Sequence, residues 1–472
     1  MSNHLQVEQR ATKAEALTSR LAQAVERGLL PDGARLRSIR ACAEKEGVSR
    51  NTVIEAYNRL IARGYVEARP GSGYYVRKLV QPASTAPAPH IVEAVDVVSL
   101  LREQLEQHYE VRVGDGRPPA SWMEESELGR HLRGARTTVL SGLTHGYGPP
   151  AGYLPLRETV SRTLNERSIQ TAASQVLLTQ GANHALDLIV RHLLEPGDVV
   201  LVDSPGYYPL YGKLKLAKVQ MIGVPRLPDG PDMDALAQLA AERRPKAFFT
   251  QSFGHNPTGG SISLPKSHRL LQLAAQHDFL VVEDDPFADL MPPSAARLAA
   301  LDQLERVIYV SSFSKTLSAS LRVGYVAAAP EMINALCDLK MVTIVATSEF
   351  AERVIHDLIE SGQYRKHLVR LRSKLKQAQA SALRGLEELG LNVYAPDGDG
   401  YYLWCRLPAQ MDEIGLVRRA AAAGIFLSPG RVFHPDRKSR TPAIRVNVAY
   451  AGHPGFVNFM RTEIGNPGNA KD

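Results

Sequence analysis

Three serines and a lysine arrive together in the run Ser311-Ser312-Phe313-Ser314-Lys315, and an arginine, Arg322, follows seven residues after the lysine. A lysine so placed can form a Schiff base with an aldehyde cofactor. Ser312 and Ser314 can donate hydroxyls to a phosphate, and the Arg322 guanidinium can fork onto two of its oxygens. A short motif of this kind is weak by itself, because a surface lysine in a serine-rich turn has the same letters. Four segments upstream remove the ambiguity. Thr179-Gln-Gly-Ala-Asn-His-Ala185 opens an amphipathic pattern, with Ala182 and Asn183 in its first turn, where free N–H groups bind anions. Asp203-Ser-Pro-Gly-Tyr207 offers an aromatic ring to lie over a flat cofactor. His255-Asn-Pro-Thr-Gly259 offers the amide of Asn256, and Glu283-Asp-Asp-Pro-Phe287 offers a carboxylate in Asp284.

Each group needs a strand to deliver it. Apolar, β-branched runs at 175–178, 199–202, 247–250, 279–282 and 306–310 lead into the five segments. All five therefore fall at the carboxyl ends of expected strands, where open α/β sheets bind ligands. Strands alternating with helical runs argue for a mostly parallel sheet covered on both faces. Further helical patterns run through 332–336 and 350–359, and one long basic, amphipathic pattern covers 365–389. A glycine turn at 398–400 enters a strand through Tyr401 and Tyr402, which read as core packing ahead of ligand contacts. A helix ending at 420–423 and a strand at 424–427 are expected in a smaller C-terminal α+β domain.

With these five motifs in order, residues 97–465 resemble the fold-type I, pyridoxal-phosphate aminotransferase family. The resemblance implies pyridoxal 5′-phosphate as cofactor, Lys315 as its Schiff-base lysine and Asp284 as the partner of its pyridine N–H. It implies Asn256 on the ring's 3-oxygen and Tyr207 stacked on the ring. Ala182, Asn183, Ser312, Ser314 and Arg322 would hold the phosphate. Arg445, in Ala443-Ile-Arg-Val-Asn447, looks like the arginine that clamps a substrate carboxylate. Tyr147, in Gly146-Tyr-Gly-Pro-Pro-Ala-Gly152, resembles the tyrosine that reaches the phosphate of a neighbouring subunit, so a homodimer is implied. One position departs from the pattern. Relatives carry Asp-Asp-Pro-Tyr or Asp-Asp-Tyr and give a phenol to the 3-oxygen; Phe287 stands here instead. A lost hydrogen bond to a charged group is worth about 1.5–3 kcal/mol, too little to prevent cofactor binding but enough to slow proton transfer roughly ten- to a hundredfold.

The chain has 472 residues, 44% hydrophobic and 22% charged, in the ordinary range for a globular protein of two or three domains. No apolar run reaches the roughly 18 residues of a membrane span. Neither a signal pattern nor metal-ligand cysteine spacing is present, since Cys42, Cys337 and Cys405 lie far apart. A reducing cytoplasm is expected. The +7 net charge is uneven: the first 78 residues hold 14 Lys/Arg and 8 Asp/Glu, whereas the remaining 394 hold 42 and 41. A small basic piece on a neutral body points to a polyanion partner for that piece.

In that piece Ala14, Leu17, Leu21, Ala24 and Val25 recur at helical steps, and a second short helix at 38–46 stops at Gly47. Ser49 caps a third, in which Val53, Ala56, Tyr57 and Leu60 share one face. Two short strands then flank Pro70-Gly-Ser-Gly73. Three helices and a hairpin make a winged helix-turn-helix pattern. Gly47-Val-Ser-Arg-Asn-Thr-Val53, Ala56-Tyr-Asn-Arg-Leu60 and Arg69-Pro-Gly-Ser-Gly73 resemble the GntR family of DNA-binding domains. The resemblance implies Arg50, Asn51 and Thr52 at the start of a helix in the major groove. Arg35, Arg40 and Arg69 are candidates for phosphate or groove contacts, and Gly71 and Gly73 let the wing approach DNA. A proline-rich tether is expected at 79–96, dividing the DNA-binding domain, 1–78, from the aminotransferase-like body, 97–465. The fusion resembles the MocR group of regulators. It implies a transcription factor that binds an operator in double-stranded DNA and senses the cofactor, a small amino compound, or both. A working aminotransferase that carries a DNA module is the alternative.

Overall fold

The computed structural model describes residues 12–77, 97–124, 126, 128–129, 146–437 and 441–465. The chain divides into two compact units, residues 1–88 and 89–472. The tether expected at 79–96 and the tail beyond Gly465 lie outside the described residues.

In the first unit, α1 (Lys13–Glu26) opens with a capping box in which the Thr12 hydroxyl accepts from the Glu15 amide and the Glu15 carboxylate accepts from the Thr12 amide. Helix α2 (Ile39–Glu46) ends at Gly47, whose φ of 62° is the left-handed conformation that closes helices. Ser49 caps α3 (Arg50–Ala62) by accepting from the Thr52 amide. Val53, Ala56, Tyr57 and Leu60 are buried, as their spacing requires. Strands β1 (Val66–Arg69) and β2 (Gly73–Val76) pair antiparallel to form the wing.

The second unit is built on an eight-stranded sheet of order β3-β10-β9-β8-β7-β4-β5-β6. These strands are β3 (Val176–Thr179), β4 (Val199–Ser204), β5 (Gln220–Leu227), β6 (Gly230–Pro231), β7 (Ala247–Thr250), β8 (Leu280–Asp284), β9 (Val307–Ser312) and β10 (Gly324–Ala327). Strands β5, β4, β7, β8 and β9 run parallel, and β10 is antiparallel to both β9 and β3. Strand β3 therefore points the same way as β9. Strands β3, β7 and β9 are buried along their whole length, which explains their continuous apolar sequences. A second, antiparallel sheet of order β11-β12-β14-β13 combines β11 (Asn392–Val393), β12 (Tyr402–Arg406), β13 (Ser428–Pro429) and β14 (Ala443–Asn447). The long helix Gln363–Glu388 leads into it.

One expected strand moves. Residues 424–427 form no strand of their own: Ile425 makes a single bridge to Val111, and β13 begins at Ser428. The reason is that Val111–Gly114 lies alongside, with Gly114 donating to the Phe426 carbonyl, so this run is held by a loop rather than a sheet.

Candidate functional site

The strand ends bring the sequence-derived groups together. Strand register sets Ser312 beside Gly324, and Gly324 beside Thr179. Just past Thr179, Gly181 precedes the helix Ala182–Leu193 with no side-chain cap. The amides of Ala182 and Asn183, at its first two positions, have no intrahelical partner. Arg322 folds over this turn: its Nη2 donates to the Gln180 carbonyl at 2.9 Å, and a Cβ at Gly181 would stand 2.8 Å from the same nitrogen. Ser312 and Ser314 flank the same end of β9, and neither hydroxyl has a partner among the described residues. Two serines, two helix-start amides and a guanidinium on these neighbouring strand ends are the kinds of group a multiply charged oxyanion would use.

Lys315 donates to the carbonyl of Gly116. Burial lowers its amine to about 8, partly opposed by the carboxylate of Asp115. Asp284 ends β8, and burial raises its carboxyl to about 7 against the stabilising hydrogen bond from Gln251. Gln251 Nε2 donates to Asp284 Oδ2 at 2.6 Å, while Oδ1 is buried without a partner. Through its other end Gln251 Oε1 accepts from the main-chain N–H of Asn256 at 2.7 Å, so one glutamine holds both the Asp284 carboxylate and the Asn256 backbone. Tyr207 lines a small space shared with Asp284 and Gln251.

Arg445 is 1% exposed, in the middle of β14. Its Nη1 donates to Asn256 Oδ1 at 2.9 Å and its Nη2 to the Gly114 carbonyl at 2.6 Å. The guanidinium also lies 4.9 Å from the ring centre of Tyr402. The segment Gly114–Arg117 therefore occupies the groups a ligand would use. Gly114 holds Arg445, Gly116 holds Lys315, and the carbonyls of Asp115 and Arg117 accept from Asn447 Nδ2. Tyr402 is buried, as expected, but its phenol also donates to the Gly116 carbonyl at 2.8 Å, beside Lys315. Phe287 is fully buried, with its ring packed on Tyr401 and Tyr402.

Sequence reasoning missed Gln251 and Gly116, and for Tyr402 it set core packing ahead of a contact in the site. The only signal for them was a polar residue following β7, two glycines in Val113-Gly-Asp-Gly-Arg117 and a tyrosine entering β12. Tyr147 does not join the site within one chain; it is 85% exposed, near Glu349 and Arg353.

In the first unit Arg50 and Asn51 are exposed at the start of α3, and the Thr52 hydroxyl is 2.9 Å from that of Ser49. The Arg35 guanidinium lies over Gly73 in the wing. Gly71 and Gly73 have φ of 70° and 115°, which only glycine adopts freely. Two of the expected cations are already paired: Arg40 with Glu44 and Arg69 with Glu67. Arg69 also lies 4.4 Å over the ring of Tyr75. These pairs are exposed and each is worth little to stability.

Residues 109–454 match the model for aminotransferase class I and II, and residues 13–76 match that for bacterial regulatory proteins of the gntR family. The 2-aminoadipate transaminase of Thermus thermophilus is 33% identical over 67% of this chain and 79% of its own. YjiR, an HTH-type transcriptional regulator of Escherichia coli, is 29% identical over 93% of this chain and 95% of its own. Among solved structures, kynurenine aminotransferase of Pyrococcus horikoshii, in complex with PMP, superposes with a TM-score of 0.70 at 28% identity, covering 78% of this chain and 93% of that one. Among the described residues no helix is long and apolar enough to cross a membrane, and no side-chain cluster suits a metal ion. The chain belongs to the aminotransferase class I and II family and carries a gntR-family DNA-binding module ahead of that domain, the architecture of the MocR regulators.

Proposed function

We propose that this protein is a pyridoxal-phosphate-dependent transcriptional regulator whose aminotransferase-like domain senses the cofactor and an amino compound. The observation that carries this reading is a set of cofactor-holding groups, short of the phenol that Phe287 replaces, on a chain that also bears a winged helix. The buried Asp284 Oδ1 lacks a partner and suits a ring N–H. The cradle of Ala182, Asn183, Ser312, Ser314 and Arg322 suits the phosphate. When bound, pyridoxal phosphate supplies an aldehyde that takes up an amine and a ring that withdraws electrons. Lys315, with its amine lowered to about 8 by burial, is partly unprotonated and reactive near neutral pH. Tyr207 and Asn256 position the ring.

An amino compound that displaces Lys315 takes the segment Gly114–Arg117 as its competitor. Its carboxylate would accept from Arg445, so the Gly114 carbonyl would give up Arg445, while Lys315, once free of the cofactor, could return to the Gly116 carbonyl. This is how a ligand acquires different affinities for two arrangements of the body, the requirement for any switch. Exposed Tyr147 fits a role in the partner subunit's site, and a homodimer would present two DNA modules to paired half-sites. Arg50, Asn51 and Thr52 would enter the groove, with Arg35, Arg40 and Arg69 on phosphates and Gly71 and Gly73 in the wing.

The test is Lys315→Ala. Operator binding by the wild-type protein should change with pyridoxal phosphate and with candidate amines, and the variant should respond to neither. An unchanged response in the variant refutes the reading. A working aminotransferase remains the second reading, favoured by the intact Lys315, Asp284 and Arg445. Sustained turnover with an amino acid and a keto acid would establish it.

A further inference from the structure

The helices Leu154–Glu166 and Gln363–Glu388 and the turn at 291–293 enclose a cavity of about 620 Å³. It is separate from the site above, since neither Lys315, Asp284 nor Arg445 lines it. Its size falls in the range of small-molecule sites, about 300–1,000 Å³. Val160, Met291, Phe313 and Tyr325 give it apolar walls. Arg167, only 7% exposed, lines it as well; its Nη2 bonds Asp289, and its Nη1 has no partner. A buried charged donor without an acceptor is costly, and a ligand oxygen would relieve it. Arg365, Val369 and Arg372 are exposed at the opening. Among the described lining residues, three arginines face Glu166 and Asp289, leaving one positive charge in excess.

This cavity is wired to the lysine loop. Asp289 accepts from the Tyr364 hydroxyl, which shares a 2.7 Å hydrogen bond with the Thr316 hydroxyl. His367 Nε2 lies 2.8 Å from the Thr316 carbonyl. Thr316 is the neighbour of Lys315, and Phe313 forms both the cavity wall and the start of that loop.

We propose that the cavity is a second small-molecule site, for a monocarboxylate with a compact aromatic or branched apolar body, and that its occupancy is felt at Lys315 through Asp289, Tyr364 and Thr316. No amino group is required of this ligand, because the described lining residues include no lysine to carry an aldehyde cofactor. The carboxylate bonds Arg167 Nη1 and the apolar body lies against Phe313 and Met291. The assignment is independent of DNA binding; only its coupling to Lys315 rests on the cofactor reading.

The experiment uses the full chain loaded with pyridoxal phosphate and 3-phenylpropionate as the probe, titrated by calorimetry. Arg445→Gln disables the carboxylate clamp of the main site and should leave probe binding within about twofold. Val369→Trp fills the opening from an exposed position, so folding is preserved, and should weaken binding at least tenfold, roughly what one charge-assisted contact provides. Arg365→Glu should weaken it about fivefold, the scale of an exposed ion pair. Saturating probe should also shift the pH midpoint of the bound cofactor's visible absorbance in Arg445→Gln. Binding that is abolished by Arg445→Gln and indifferent to Val369→Trp overturns the proposal, as does failure to bind at millimolar probe. Binding at the cavity with unmoved absorbance overturns the coupling to Lys315.

Discussion

Adding one methyl group at Gly181 should disable the phosphate cradle, and the structure says by what route. The backbone there has φ 77° and ψ 167°, a region that is essentially glycine's own and costs other residues roughly 1–3 kcal/mol. A Cβ would also stand 2.8 Å from Arg322 Nη2 and 3.2 Å from its Cζ. The guanidinium must then leave the Gln180 carbonyl and the helix start. An arginine–phosphate hydrogen bond is worth about 1.5–3 kcal/mol, so Gly181→Ala should weaken pyridoxal phosphate binding roughly 10- to 150-fold. The assay is a double-mutant cycle with Arg322→Ala, reading cofactor affinity from visible absorbance and stability from urea unfolding. Once Arg322 is absent the methyl group meets no guanidinium. In that background Gly181→Ala should alter cofactor affinity by less than about threefold, while the stability loss from the strained backbone persists. Equal affinity losses in both backgrounds would refute a cradle in which Gly181 makes room for Arg322.

Three further perturbations have defined signs. Burial raises Asp284 from 3.8 to about 7, so in the cofactor-free protein the fold retains a proton that the unfolded chain has released. This residue's contribution to stability therefore falls as pH rises through that interval. Asp284→Asn should flatten the corresponding stretch of the urea-stability profile and weaken cofactor binding. Tyr402→Phe leaves the Gly116 carbonyl to Lys315 alone, which favours the ammonium; the pH midpoint of cofactor incorporation, near 8, should rise by roughly half to one unit, read from the rate of absorbance change. Arg50 is exposed and has no ion-pair partner among the described residues, so Arg50→Ala should spare stability. It should lower operator affinity by about 1–3 kcal/mol and relax the sequence preference at the base it faces, measured by fluorescence anisotropy across operator variants.

Much of the site was legible without coordinates, because the chemistry constrains residue type and the sheet constrains place. The lysine, aspartate, amide and ring that family resemblance assigns to one cofactor each follow a buried strand, and buried strands announce themselves as unbroken apolar runs such as Val307–Ser312 and Ala247–Thr250. The first unit was legible for a related reason: capping serines, a left-handed Gly47 and the 53-56-57-60 spacing are local features. Phe287 shows where legibility stops. Its replacement of a phenol was visible, but that Tyr402 brings another phenol to the Lys315 loop depends on β12 lying against a carbonyl 286 residues away in the chain.

Sequence by itself placed the candidate cofactor groups after apolar runs and outlined the DNA module, because strand and helix periodicity and capping are local; the roles of those groups came from family resemblance, and the order of the strands in the sheet came only with the structure. Only the tertiary structure decided that Gln251 bonds both Asp284 and Asn256, that the Gly114 and Gly116 carbonyls accept from Arg445 and Lys315, and that Arg167 is left with a buried, unpartnered donor. Those contacts join main-chain and side-chain atoms far apart in the chain, and a carbonyl oxygen carries no residue identity from which its partner could be read.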